Sequence, residues 1–138
     1  MNFKRWMEQS RKGIITFDFD DTLTLPFWDE ENEIWSSSSE KPHEKNINKL
    51  KKHASEGYEI YIVTARLQRD RPEVVQFVKD NKLPVVDVIA TGGPKGKTLS
   101  DLGSLIHYDD TPQAFEDPKS LFKGKWVKIF HPFDKFEK

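Results

Sequence analysis

Apolar runs of strand length alternate along this chain with stretches whose apolar residues recur at helical spacing. Ile14 to Phe19, Tyr58 to Val63, Val85 to Ala90, Leu105 to Tyr108 and Trp126 to Phe130 are mostly rich in β-branched or aromatic residues and predict five strands. Between them, Ile47, Leu50 and Ala54 mark one face of a helix that stops at Gly57. Pro72 opens a second helix, whose stripe is Val74, Val75 and Val78. Thr111 with Pro112 reads as a cap and first turn leading into Ala114 and Phe115. Regular alternation of this kind implies parallel strands joined by right-handed crossovers, with helices on both faces. The predicted class is α/β, doubly wound, around a central and mainly parallel five-stranded sheet.

Two segments depart from the alternation. Residues 1–12 carry Phe3, Trp6 and Met7 at helical spacing among Lys4, Arg5, Arg11 and Lys12, which predicts a short helix capping the core. Residues 24–42 hold Trp28, Trp35 and the run Ser36 to Ser39 in an acidic stretch, about the length of a hairpin with tails. That stretch is too short for a domain and predicts a flap after the first strand. With 138 residues, one domain spanning 1–138 is expected. A chain of this length buries roughly 68–70% of its unfolded surface, so its core needs no disulfide or structural metal.

Composition narrows the chemistry. The absence of cysteine removes thiol catalysis, zinc-cysteine sites and redox switching. No apolar run approaches the roughly 18 residues of a membrane span, and no charged-then-apolar leader opens the chain, so the expectation is a soluble cytoplasmic protein without a membrane partner. Lys plus Arg number 22 against 23 for Asp plus Glu, which gives no global basic field. An anionic partner must therefore be met locally.

Candidate chemistry concentrates after the first strand, in Phe17-Asp18-Phe19-Asp20-Asp21-Thr22-Leu23-Thr24. Carboxylates two positions apart on an extended chain point to the same side, and ligands of open parallel sheets bind outside the carboxyl ends of the strands. Acids after a strand also serve simply as turn or cap residues. Three of them crowded together repel one another, however, and call for a cation.

Asp18-x-Asp20-x-Thr22-Leu23 after an apolar strand resembles the first motif of the haloacid dehalogenase (HAD) superfamily, most of whose members are magnesium-dependent phosphohydrolases with a three-layer Rossmann-like fold. Three further family motifs follow in order. Ile60-Tyr61-Ile62-Val63-Thr64, continued by Ala65-Arg66, is similar to the second; Lys97, with Lys95 as rival, to the third; and Leu105-Ile106-His107-Tyr108-Asp109-Asp110 to the fourth. Each later motif is weak alone, but the order and spacing over residues 13–110 make the composite specific. The second gap, Arg66 to Lys97, is filled by one helix and one strand, so the resemblance is to cap-less members, among them polynucleotide 3′-phosphatase domains.

The resemblance implies a mechanism. Asp18 would attack phosphorus and carry the phosphoryl group as an aspartyl-phosphate, and Asp20 would act as general acid and then general base. Mg2+ would be held by Asp18, the backbone carbonyl of Asp20 and Asp109, with Asp110 acting through water. Thr64 and Lys97 would meet phosphate oxygens, Lys97 being preferred to Lys95 because it directly precedes a helix-like stretch. Asp21, Thr22, Ala65 and Arg66 would line the substrate side, and the basic run Arg66, Arg69 and Arg71 reads either as a solvated face or as a contact to a second substrate phosphate.

Plainer roles compete with these: Thr64 as a turn residue, Lys95 and Lys97 in a solvated Gly-rich turn, Asp109 and Asp110 as first-turn helix acids. His43, His53, His107 and His131 share no ligand spacing and read as structural or surface. The stretch around Gly92 to Thr98 misses a phosphate-binding P-loop by one position, since Thr91 stands where the first Gly belongs. For the substrate, an open site suits a phosphate carried on a polynucleotide or nucleotide, with Trp28 and Trp35 stacking on bases or anchoring the flap. The alternatives are a small-molecule phosphatase completed by oligomerisation and a silent phosphate-binding module.

Overall fold

The computed structural model describes residues 12–36, 41–111 and 122–129. The helix expected within 1–12, the one expected after Pro112 and most of the serine run lie outside the described residues. All five expected strands form: β1 (Ile14–Phe17), β4 (Glu59–Thr64), β5 (Asp87–Ala90), β6 (Ser104–Asp109) and β7 (Lys125–Lys128). They build one sheet in the order β5-β4-β1-β6-β7, and every pairing is parallel. The first strand is shorter than expected. After Phe17 the Asp18 N–H makes one more bond to the Tyr108 carbonyl at 2.8 Å, and the chain then folds into a turn, with the Leu23 N–H donating to the Phe19 carbonyl. Asp21 sits in that turn at φ 60°, a conformation Asp tolerates better than most side chains.

Helices α1 (Glu44–Ser55), α2 (Arg71–Asp80) and α3 (Gly96–Leu102) lie in the crossovers from β1 to β4, β4 to β5 and β5 to β6. Period-two alternation on the strands sorts them onto two faces. Ile15, Phe17, Ile60, Ile62 and Tyr108 share one core with Ile47 and Leu50 of α1 and with Val74 and Phe77 of α2. Val63 points the other way, into a smaller core with Leu99 and Leu102 of α3. The result is an α/β sandwich of Rossmann-like type. Each fully buried aliphatic of the larger core stabilises it by about 1.5–3 kcal/mol.

The flap expected over 24–42 is a hairpin of β2 (Phe27–Asp29) and β3 (Ile34–Ser36), paired antiparallel with Trp28 opposite Trp35. The Asp29 carboxylate closes its turn by accepting from the Glu31 and Asn32 backbone N–H groups and the Asn32 side chain. A bridge between Thr24 and Pro42, with the Leu25 N–H bonded to the Lys41 carbonyl, ties the base. None of the helices among the described residues is long and apolar enough to cross a membrane.

Candidate functional site

Parallel register is what builds the site. Phe17 of β1 lies beside Tyr108 of β6, so the next residue of each strand, Asp18 and Asp109, emerges side by side at the carboxyl edge of the sheet. Both are buried. Lys95, the residue before α3, reaches back between them and donates to Asp18 Oδ1 at 2.7 Å and to Asp109 Oδ2 at 2.8 Å. The Thr22 hydroxyl donates to the other Asp18 oxygen at 3.3 Å, and Thr22 itself is anchored by the Asn46 side chain of α1, which donates to its carbonyl at 2.8 Å. Asp110 completes the cluster: one carboxylate oxygen from each of Asp18, Asp109 and Asp110 lies within 4.8 Å of the others.

The electrostatics follow from burial and from a shared cation. Burial, reinforced by Asp109 and Asp110, pushes the Asp18 carboxyl well above the usual range, against the pull of Lys95. Burial also works to raise Asp109, but the hydrogen bond from His107 and the Lys95 charge outweigh it and hold that carboxyl low. For Lys95, burial favours the neutral amine, and the two carboxylates together more than reverse this, so it stands as an ammonium. One ammonium thus faces three carboxyl groups. Hard oxygen donors this close, with negative charge in excess of the lysine, are the ligand set a divalent cation such as Mg2+ or Ca2+ takes, and Asp18, Asp109 and Asp110 fit that role. The Asp20 carboxylate is not a member of this group.

Asp20 has a different partner. Arg66 grips it through two bonds, Nε to Oδ2 at 2.9 Å and Nη2 to Oδ1 at 2.7 Å, while Nη1 binds Glu73 at 3.0 Å. The guanidinium also lies 5.1 Å over the Phe19 ring. Expected to reach for substrate, Arg66 is committed to a carboxylate of the chain itself, and its hydrogen bonds to Asp20 raise its pKa further. Thr64 ends β4 buried, with its hydroxyl accepting from the Arg66 N–H at 3.2 Å. The Thr64 carbonyl is tied to Thr91 by N–H and hydroxyl bonds at 2.9 and 3.2 Å, and Ala65 is exposed just beyond it. The Asp21 N–H donates to the Thr24 hydroxyl at 3.1 Å, within the turn.

The lysine preference is corrected. Lys97 is exposed and pairs with Asp101 one turn along α3 at 2.9 Å, whereas Lys95 is 2% exposed and lies between the acids. At about 100° per residue, two positions on a helix point about 200° apart, so only one of the two lysines can face the sheet. The lysine preceding the first helical residue does so.

His107, expected to be structural or surface, is structural, and it bonds the acid cluster directly. It is fully buried, with Nε2 2.8 Å from Asp109 Oδ2 and Nδ1 2.8 Å from the Thr16 hydroxyl. Its place two residues before Asp109 on a strand carried the signal, because such residues share a face. His53 is structural as expected, bonded through Nε2 to the Tyr108 hydroxyl at 2.8 Å. No family model matches the chain, and no curated protein matches it.

Proposed function

We propose that this protein is a divalent-metal-dependent phosphomonoester hydrolase of HAD type, with Asp18 as nucleophile. The observation that carries the reading is the meeting of Asp18, Asp109 and Lys95, from two strands and a helix start, at the carboxyl edge of a parallel sheet, with Asp110 within reach of the same point. The order β5-β4-β1-β6-β7 and the absence of any large insert between β4 and β5 support a cap-less member.

In this reading Asp18, Asp109 and Asp110 hold Mg2+, which when bound supplies positive charge against the phosphate and the nucleophile. An Asp18 oxygen attacks phosphorus, the new P–O bond forms as the bond to the leaving oxygen breaks, and the Asp20 carboxylic acid gives its proton to that oxygen. Water then attacks the aspartyl-phosphate. Asp20, now a carboxylate, takes the water proton, the P–O bond to Asp18 breaks, and inorganic phosphate leaves. Arg66 holds both Asp20 oxygens in the unliganded protein, so one of these two bonds opens for Asp20 to carry the proton while the other keeps the group oriented. Lys95 offsets charge on Asp18 while the phosphoryl group transfers, and Thr64 with the amides around it receives phosphate oxygens. A hairpin that follows the Asp18 turn in the chain and leaves Trp28 48% exposed suits a phosphate carried on a nucleotide or oligonucleotide, whose bases offer stacking worth about 1–3 kcal/mol each.

The test is phosphate release with Mg2+ from 3′-phosphorylated oligonucleotides, nucleoside monophosphates and sugar phosphates. Asp18→Asn should lower kcat by about 10⁴-fold or more, as removal of a covalent nucleophile does. Full turnover by Asp18→Asn ends the proposal for every substrate.

A further inference from the structure

We propose that His107 is a positioning residue that sets the Asp109 carboxylate for a bound divalent cation, through a buried hydrogen-bonded line that runs back along the sheet to Ser104. The inference rests on the metal reading above and adds a residue to which neither the motifs nor the mechanism gives a part.

The line lies on the α3 face. Thr16 of β1 and His107 of β6 are register neighbours, and both are fully buried. Asp109 Oδ2 meets His107 Nε2 at 2.8 Å, His107 Nδ1 meets the Thr16 hydroxyl at 2.8 Å, and Thr16 meets the Ser104 hydroxyl at 2.8 Å. The Ser104 hydroxyl lies 3.0 Å from the Ile106 carbonyl as well, so its one proton is shared between that carbonyl and the Thr16 oxygen. The proton positions follow from what each group can do. An ionised Asp109 only accepts, so the ring nitrogen facing it carries hydrogen. With that hydrogen on Nε2, Nδ1 is left to accept from the Thr16 hydroxyl 2.8 Å away.

Asp109 is consequently fixed on both oxygens before any cation arrives. Oδ2 accepts from His107 and Lys95, and Oδ1 accepts from the Thr111 N–H at 3.0 Å. The Asp109 carbonyl also takes the Trp126 indole N–H at 3.1 Å. A ligand carboxylate locked in this way loses little rotational freedom on binding metal, which is what hydrogen bonds behind a ligand contribute. Packing alone does not call for such a line, because the opposite face of the same two strands is filled by Ile15, Phe17 and Tyr108. Buried polar groups are tolerated when all are satisfied, and then they favour one arrangement.

The experiment measures Mn2+ binding by calorimetry on the full chain, for the parent and for His107→Leu, His107→Gln and Thr16→Val, together with a long-range 1H–15N spectrum of the parent histidines. His107→Leu should weaken Mn2+ binding roughly 10–100-fold, the range for loss of a hydrogen bond behind a ligand. His107→Gln, which keeps an N–H donor, should fall between Leu and parent. Thr16→Val, nearly the same shape, should weaken binding by a smaller factor than Leu, and the spectrum should place the His107 proton on Nε2. Parental affinity in a folded His107→Leu, or in Thr16→Val should the Leu variant fail to fold, overturns the inference, as does a His107 proton on Nδ1 alone. A parent that binds no Mn2+ brings down the proposed function and this inference with it. A parent that binds Mn2+ with no effect of either substitution brings down this inference alone.

Discussion

On β1 and β6 the two faces of the central sheet are built on opposite principles although the same strands make both. Toward α1 and α2, β1 and β6 present Ile15, Phe17, Ile106 and Tyr108, with Phe17 stacked on Tyr108 at a ring separation of 4.5 Å. Toward α3, the intervening residues are Thr16, Ser104 and His107, and the line ends on Asp109 and Lys95. Apolar contacts are non-directional and tolerate small shifts, while a chain of hydrogen bonds has value only at fixed geometry. On these two strands one face therefore supplies apolar packing, and the other holds a set of charges in place beside the smaller core of Val63 and Leu99.

Removing a charge from the polar face should have the largest effect on folding. Lys95→Met keeps the approximate volume but leaves Asp18 and Asp109 buried without their shared ammonium. Breaking a buried ion pair from one side costs about 3–5 kcal/mol. Urea unfolding should show that loss, and bound Mn2+ should recover part of it, because a cation at the same acids replaces the missing charge. A stability unchanged by Lys95→Met would mean that the acids do not depend on this lysine.

On the apolar face, Ile62→Ala should cost about 2–5 kcal/mol, since the site is fully buried and the cavity collapses only in part. Its signature differs from that of Lys95→Met. Stability should fall while the Mn2+ affinity of the folded fraction stays at the parental value. A large change in that affinity would show that the faces are coupled through the sheet.

The part of this comparison that was legible in the sequence is the part governed by local pattern. Five strands and the apolar stripes of α1 and α2 follow from periodicity, and Asp18 and Asp109 follow from their places just past apolar runs. The rest depends on contacts between distant residues. Lys95 rather than Lys97 faces the acids because of the phase at which α3 begins. Arg66 was visible as a basic residue, but its commitment to Asp20 depends on how the turn after β1 meets the end of β4, 46 residues away in sequence. His107's place two residues before Asp109 was legible, but its second partner, Thr16, lies 91 residues earlier and was not.

His53 offers a smaller test, as a polar group on the apolar side. Its ring bonds the Tyr108 hydroxyl, and burial, aided by Lys49 and Lys52 against Glu56, lowers its pKa below 6.5. A group with a depressed folded pKa binds its proton more readily in the unfolded chain. Its contribution is therefore complete above pH 6.5 and is lost as pH falls through the folded value. Melting temperatures measured from pH 7 to pH 5 should fall less steeply for His53→Phe than for the parent. Equal slopes would remove His53 from the acid sensitivity of the fold.

The smallest expected effect is the control that separates the two lysines. Lys97 and Asp101 are both exposed, and an exposed pair at this spacing is weakened by solvent and salt. Lys97→Met should leave urea stability, Mn2+ affinity and phosphate release at parental values. The motif order alone favours Lys97 and the folded geometry favours Lys95, so the same substitution at two positions two residues apart decides between them. If Lys97→Met abolishes phosphate release while Lys95→Met spares it, the buried lysine only neutralises the core, and the phosphate must be met from the solvent side of α3.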